Sequence, residues 1–291
     1  MRHRALLGAI FALTSCASST SAGSPTASAI RVAIAFFPIE DIVVAMSGTQ
    51  LQVTNITPPG ASAHDYEPTP QQVADLEKAK LVFYLGDGFQ PSIEKAIASL
   101  PDSVAKVDLL QSVTLLDKDP HVWLDPANMM LMAATVHRAL LQLPGLDHAA
   151  LDAAAKSYGA KLIRTAQSYE STLSSCQHND VVTSHDAFGY LARRYGLRNI
   201  PIAGISPQDE PSAKDLEGIA QVARDFKVTT VFFEENLPSD LAKTVADEIG
   251  ARVAVLDSIE SPTQMQLDAG ASYESIMLSN LAVLKQGLTC Q

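Results

Sequence analysis

Four segments carry side chains able to hold a cation. They are His64-Asp65-Tyr66-Glu67-Pro68, Asp119-Pro120-His121-Val122-Trp123-Leu124-Asp125-Pro126, Thr183-Ser184-His185-Asp186-Ala187-Phe188-Gly189-Tyr190 and Val255-Leu256-Asp257-Ser258. The imidazoles of His64, His121 and His185 and the carboxylate of Asp257 form a nitrogen-and-oxygen set. Such a set can close a four-coordinate shell on a divalent metal such as zinc. These residues are 57, 64 and 72 positions apart. No local finger or single helix spans such gaps. Only a tertiary fold that brings distant loops to one cleft can assemble them.

The chain has the grammar of such a fold. The β-rich apolar run 30–37 reads as a buried strand. Pro38 then opens a helix to about Met46, since proline suits a first helical turn. Further strands are expected at 51–56, 81–85 and 105–109, with helices at 70–79 and 92–100, the first capped by Thr69. Strands alternating with helices imply parallel pairing in an α/β lobe. After a helix at 126–143, a pattern spaced by three or four (Leu151, Ala155, Tyr158, Leu162, Ala166, Tyr169, Leu173) predicts one long helix over 147–175. At 1.5 Å per residue it would be a rod of roughly 40 Å. The second half repeats the alternation, with strands at 180–184, 229–234 and 252–256 and helices at 187–195, 212–226, 239–249 and 273–287. The implied organisation is an N-terminal α/β lobe over 29–146, a linking helix over 147–176 and a C-terminal α/β lobe over 177–291. In both lobes Rossmann-like (β/α) units would build a parallel sheet.

His185 and Asp257 each follow a strand, His64 lies in the loop after 51–56, and His121 precedes a helix. Open parallel sheets collect ligands outside the carboxyl ends of their strands. Two ligands from each lobe would therefore face one another across a cleft between them.

Composition removes some function classes. With 291 residues, 47% hydrophobic content and a net charge of −11, the chain is ordinary globular material without the basic surface that nucleic acid or an anionic membrane requires. Its start is not fold. Met1-Arg2-His3-Arg4 is basic, Ala5 to Leu13 is a short apolar run, and Leu13-Thr14-Ser15-Cys16 follows, as in an export signal. That ending resembles a bacterial lipoprotein box, with Cys16 as the acylated first residue. The alternative is an ordinary signal peptide cut near Ala22 or Ala27. The Ser-, Ala- and Thr-rich stretch 17–28 reads as a flexible tether. An exported chain meets an oxidising compartment, so the two remaining thiols, Cys176 and Cys290, are expected to pair, although two free thiols are the alternative.

Five motifs then give a specific resemblance. They are HDYEPTPQQVADLEKAKLVFYLGDGFQP (64–91), DPHVWLDPANM (119–129), VVTSHDAFGYLARRYGL (181–197), ISPQDEPSAKDL (205–216) and VFFEENLPSDLAKTVADEIGARVAVLDSI (231–259). In content, order and spacing the chain resembles the zinc/manganese solute-binding proteins of ABC importers, a family that includes lipoproteins. The resemblance extends from about residue 31 to 287. It implies two α/β lobes joined by one long helix, with metal between them. By the same resemblance His64, His121, His185 and Asp257 fall on the metal ligands, and an ABC permease in the membrane is the partner. A histidine at the third position points to Zn²⁺, and imidazole suits zinc better than oxygen-preferring manganese. Mn²⁺ is the alternative cargo. One departure stands out: many zinc-specific members carry a long His-rich loop before the second ligand, whereas here the stretch is SVTLLDKDP, without histidine. The resemblance implies a binding protein, not an enzyme. It would be monomeric and extracytoplasmic, touching the membrane only through its lipid.

Two other classes compete. Three histidines and a carboxylate can also build a zinc hydrolase, but no HExxH occurs. A chelate-binding or adhesin lipoprotein could use a similar two-lobed frame. Among the neighbours, Asp65 and Asp186 are expected either to orient the preceding imidazoles or to cap turns. Glu67 and Glu234 are possible polar neighbours of the cleft, and Trp123 is a core residue or a shield for it. His137, His148 and His178 read as surface histidines.

Overall fold

A computed structural model describes residues 29–209, 211–234 and 239–291. The segment expected to be signal and tether, with Cys16, lies outside the described residues. Among the described residues no helix is long and apolar enough to cross a membrane.

The first half runs β1 (Ile30–Ile34), α1 (Phe37–Ser47), β2 (Leu51–Asn55), α2 (Pro70–Leu76), β3 (Leu81–Tyr84), α3 (Pro91–Ala98) and β4 (Ala105–Asp108). All its strands are parallel, in the order β2-β1-β3-β4. Two 3₁₀ turns, Leu109–Ser112 and Val122–Leu124, lead to α4 (Pro126–Leu140) and α5 (His148–Leu173). The second half runs β5 (Asp180–Thr183), α6 (Gly189–Tyr195), β6 (Arg198–Pro201), α7 (Ala213–Asp225), β7 (Thr230–Phe233), α8 (Asp240–Ile249), β8 (Arg252–Val255), α9 (Gln264–Asp268) and α10 (Tyr273–Gly287). Its sheet is also parallel, in the equivalent order β6-β5-β7-β8. Each sheet therefore reverses direction between its first and third strands. A crevice opens at such a switch point, beyond the strand carboxyl ends.

Local chemistry accounts for most boundaries. The apolar run from Ile30 is divided, because Pro38 pre-sets a helical first turn and α1 already begins at Phe37. Thr69 and Gln72 close a reciprocal capping box on α2, as Ser212 and Asp215 do on α7. β6 has no periodic signal: Arg-Asn-Ile-Pro is mostly polar, and Pro201 is tolerated because the strand lies at a sheet edge.

The 26-residue α5 is about 39 Å long at 1.5 Å per residue. It packs on α1 and α4 from the first half and on α6 and α10 from the second. Two buried phenols pin it to both. Tyr158 donates to Asp41 in α1 at 2.8 Å, and Tyr169 donates to the Met277 carbonyl in α10 at 2.7 Å. One apolar core, including Phe83, Trp123, Tyr169, Phe188, Phe232 and Tyr273, continues from one sheet to the other. The halves meet through close-packed side chains rather than across an open linker. Such a core resists small continuous deformations.

Cys176, beyond the end of α5, is disulfide-bonded to Cys290, beyond the end of α10. The link closes a loop with a sequence separation of 114 residues. Cross-linking so long a loop removes much entropy from the unfolded chain. Reduction, or paired Cys176→Ser and Cys290→Ser replacement, is expected to lower unfolding free energy by about 2–5 kcal/mol. Urea titrations with and without reductant measure it. Equal midpoints would mean the link contributes nothing.

Candidate metal centre

His64 stands in the long loop between β2 and α2, and hydrogen bonds from below set the path of that loop. Thr57 donates to the Ala35 carbonyl at 2.7 Å. The buried Gln90 amide donates to Thr57 Oγ1 and to the Ala63 carbonyl, both at 3.0 Å. The His64 ring then meets Phe89 edge-on, with centroids 4.8 Å apart.

His121 sits just before the second 3₁₀ turn. Asp119 Oδ1 accepts from the His121 backbone N–H at 2.9 Å and from its Nδ1 at 2.7 Å. Gly189 is needed opposite, since a Cβ there would lie 2.8 Å from Asp119 Oδ2. His185 follows β5 directly. Its Nδ1 is 2.5 Å from Glu234 Oε1, beyond the end of β7, and Ser184 Oγ donates to the same oxygen at 2.6 Å. Holding Nδ1–H against a carboxylate fixes the tautomer and turns each Nε2 lone pair inward.

The three Nε2 atoms converge. His121 Nε2 is 3.3 Å from His64 Nε2 and 3.4 Å from His185 Nε2. The fourth group is Glu260, beyond β8. Its Oε2 is 3.5 Å from His64 Nε2, and its Oε1 is 3.5 Å from His121 Nε2 and 3.4 Å from His185 Nε2. A tetrahedron with bonds of ~2.05 Å to its centre has edges of about 3.3 Å, which is the scale of a zinc shell. His121 and His185 are fully buried, and Glu260 and His64 are 6% and 9% exposed. Glu260 Oε1 has no hydrogen-bond donor among the described residues, although it is buried. An orphaned buried carboxylate oxygen calls for a partner. A cation at the centroid supplies one.

Asp257 is not among these convergent groups. Its Oδ1 accepts the Ile259 N–H at 2.7 Å, and its Oδ2 faces the Gln266 amide at 3.4 Å. It lines a separate groove with Gln266, Ala271 and Asn280. Against the expectation for Asp257, the group that the structure brings to the three imidazoles is Glu260, three residues on. The physical reason is the bend after β8, where Ile259 takes a left-handed φ of 65° and redirects the chain before Glu260. Two carboxylates lie within one strand-end segment, and the sequence carries no mark of which one the turn presents.

The remaining neighbours divide clearly. Asp65 accepts from Ser62 at the surface, and Asp186 from Asn199. Neither is hydrogen-bonded to the imidazole it follows, and that role falls to Asp119 and Glu234. Glu67 is exposed. Trp123 is fully buried, 5.2 Å from the His121 ring, and donates its indole N–H to the Ser258 carbonyl at 2.7 Å. His137 pairs with Asp152 at 2.8 Å, His148 is exposed and His178 half-buried. Asp119 was legible only as the first residue of its motif, because its use two residues on depends on the turn at Pro120.

Electrostatics follow from this packing. Burial pushes the His185 imidazole down, but the Glu234 and Glu260 carboxylates outweigh it and hold its pKa up at about 10. Burial also acts against His121, and Asp119 and Glu260 again raise it above the ordinary imidazole range. Burial alone would raise Glu260, but the three histidines that face it hold it well below the ordinary carboxylate range. The ion-free site is thus an anionic carboxylate among partly protonated imidazoles. The raised pKa values of His121 and His185 favour protons on the ring nitrogens that would bind a metal.

Known proteins share this frame. A family model described as zinc-uptake complex component A, periplasmic, matches residues 32–287. The high-affinity zinc uptake system protein ZnuA of Bacillus subtilis (strain 168) is 30% identical over 306 aligned positions, covering 97% of this chain and 96% of that protein. The zinc-binding lipoprotein AdcA of Streptococcus pneumoniae serotype 4 is 28% identical over 277 positions, and the chain spans 55% of its length. The solved Zn(II)-bound ZnuA-like domain of Streptococcus pneumoniae AdcA superposes with a TM-score of 0.79 at 30% identity, covering 90% of this chain and 99% of that one.

Proposed function

The chain belongs to the family of the periplasmic component A of zinc-uptake complexes, and from that premise we propose that it captures Zn²⁺ outside the cytoplasm and delivers it to an ABC permease. The cargo is held by Nε2 of His64, His121 and His185 and by the carboxylate of Glu260. One observation carries this ligand set: four buried groups converge, their ligand atoms all within 4.8 Å of one another, with one carboxylate oxygen left without a donor. Three imidazoles and one carboxylate favour zinc over manganese, which prefers oxygen. Four protein ligands leave no open position for a substrate water, so binding rather than hydrolysis is the expected activity. Because the donors are buried, loading and release require loop or lobe movement, which docking on the permease would drive. Cys16 supplies the lipid anchor, the stretch 17–28 the tether, and the chain works as a monomer.

The test is metal content and competition binding on the purified chain. One zinc per chain, not displaced by excess manganese and lost in His121→Ala, is the expected result. Tight manganese binding would keep the transport role and overturn the cargo. No stoichiometric metal would sink the four-donor site.

The carboxylates behind the imidazoles give a graded result. Glu234→Ala and Asp119→Ala are each expected to weaken zinc binding about 10- to 100-fold, the usual cost of losing a group that orients a ligand. A chromophoric chelator competing for zinc reads the change. An unchanged affinity would mean that packing alone orients the rings.

A further inference from the structure

The turn that carries Glu260 is strained and tied down on every side. Ile259 has a φ of 65°, a conformation that a β-branched residue adopts only when its surroundings impose it. Its side chain is fully buried. Asp257 Oδ1 accepts the Ile259 N–H at 2.7 Å. Trp123, from the other half of the molecule, donates to the Ser258 carbonyl at 2.7 Å. Asn280, 2% exposed, clamps the Asp257 backbone from α10: its Oδ1 accepts the Asp257 N–H at 2.9 Å and its Nδ2 donates to the Asp257 carbonyl at 2.7 Å. These ties converge on three consecutive residues immediately before Glu260.

We propose that Asp257 is a positioning residue for the cargo site, a latch that holds Ile259 in its left-handed turn and so keeps Glu260 aimed at the three imidazoles. The proposal rests on the reading of Glu260 as a metal ligand. An ordinary φ at Ile259 would send the chain, and the carboxylate after it, in another direction. Nothing in the strand itself favours the strained form. The Asp257 side chain favours it, because its acceptor satisfies the N–H that the turn exposes. Undoing that bond would withdraw one of four ligands without unfolding either sheet.

The test is a mutant cycle on the full processed chain, read by zinc competition, with thermal unfolding of the zinc-free proteins alongside. Glu260→Gln alone is expected to weaken zinc binding. Asp257→Ala in the wild-type background is expected to weaken it about 10- to 100-fold, the scale of groups that orient a ligand. Asp257→Asn keeps an oxygen acceptor and is expected to recover most of that loss. In the Glu260→Gln background Asp257→Ala is expected to cost less than about threefold, because residues acting through one another are not additive. If Asp257→Ala does not unfold cooperatively, Asp257→Leu, which keeps the branching at Cγ and removes the acceptor, replaces it. An unchanged affinity in Asp257→Ala would overturn the latch. So would an equal loss in both backgrounds, or an Asp257→Asn protein as weak as Asp257→Ala. Wild-type affinity in Glu260→Gln would instead overturn the ligand reading itself, and the latch with it.

Discussion

Glutamine in place of Glu260 is expected to cost zinc affinity roughly two to four powers of ten. The amide keeps the shape of the side chain and removes its charge. Glu260 is 6% exposed and its Oε1 has no donor among the described residues, so no solvent replaces what is lost. Breaking one member of a buried charged set costs about 3–5 kcal/mol, which corresponds to that range of affinity. The same replacement also leaves His121 and His185 without the carboxylate oxygen that lies 3.5 and 3.4 Å from their Nε2 atoms. Competition titration with a chelator of known affinity measures the change. A loss of less than about fivefold would remove Glu260 from the shell.

The second large effect is with pH. At pH 7 the ion-free His185 is protonated, because neighbouring carboxylates hold its pKa at about 10, and His121 is raised as well. A metal takes only the neutral imidazole, so binding must expel those protons. Affinity is therefore expected to fall as the pH falls, about tenfold per unit for each proton released. At least one proton per zinc, that of His185, should appear near pH 7. Calorimetry in two buffers of different ionisation enthalpy counts them. A count of zero would mean that His185 is already neutral. The zinc-free protein should show the opposite trend. A histidine whose folded pKa lies above its unfolded value of ~6.5 adds stability that is complete below that value. That stability is lost as the pH rises through about 10 for His185. Between pH 7 and 10, zinc-free melting temperatures should drop while zinc-dependent stabilisation grows. Parallel curves with and without zinc would contradict this.

The scarcity of exposed donors also explains the function. His121 and His185 are wholly buried, and Trp123 and Phe89 wall the rings from solvent. A buried shell suits retention through diffusion to a membrane partner. It also ties exchange to a structural step, and the strained turn at Ile259 lies next to the only carboxylate in the set.

Much of this was legible in the chain. Alternation of apolar runs with helical spacing defines two parallel α/β halves, because side-chain period and burial are local properties of strands and helices. The heptad-like spacing from Leu151 to Leu173 marks α5 for the same reason. His64, His121 and His185 were identifiable because each is an imidazole at a loop where a parallel sheet gathers ligands. β6 was not identifiable, since Arg-Asn-Ile-Pro carries no apolar run and no alternation. Glu234 could be named as a neighbour but not assigned to a ring, because contacts between β-strand ends depend on sheet order. The choice between Asp257 and Glu260 was decided by tertiary structure alone. Both are carboxylates able to ligate a metal, and nothing in the sequence marks one over the other. They differ in which side of the Ile259 turn they occupy, and hydrogen bonds from Asp257, Asn280 and Trp123, from three separate parts of the chain, meet at that turn.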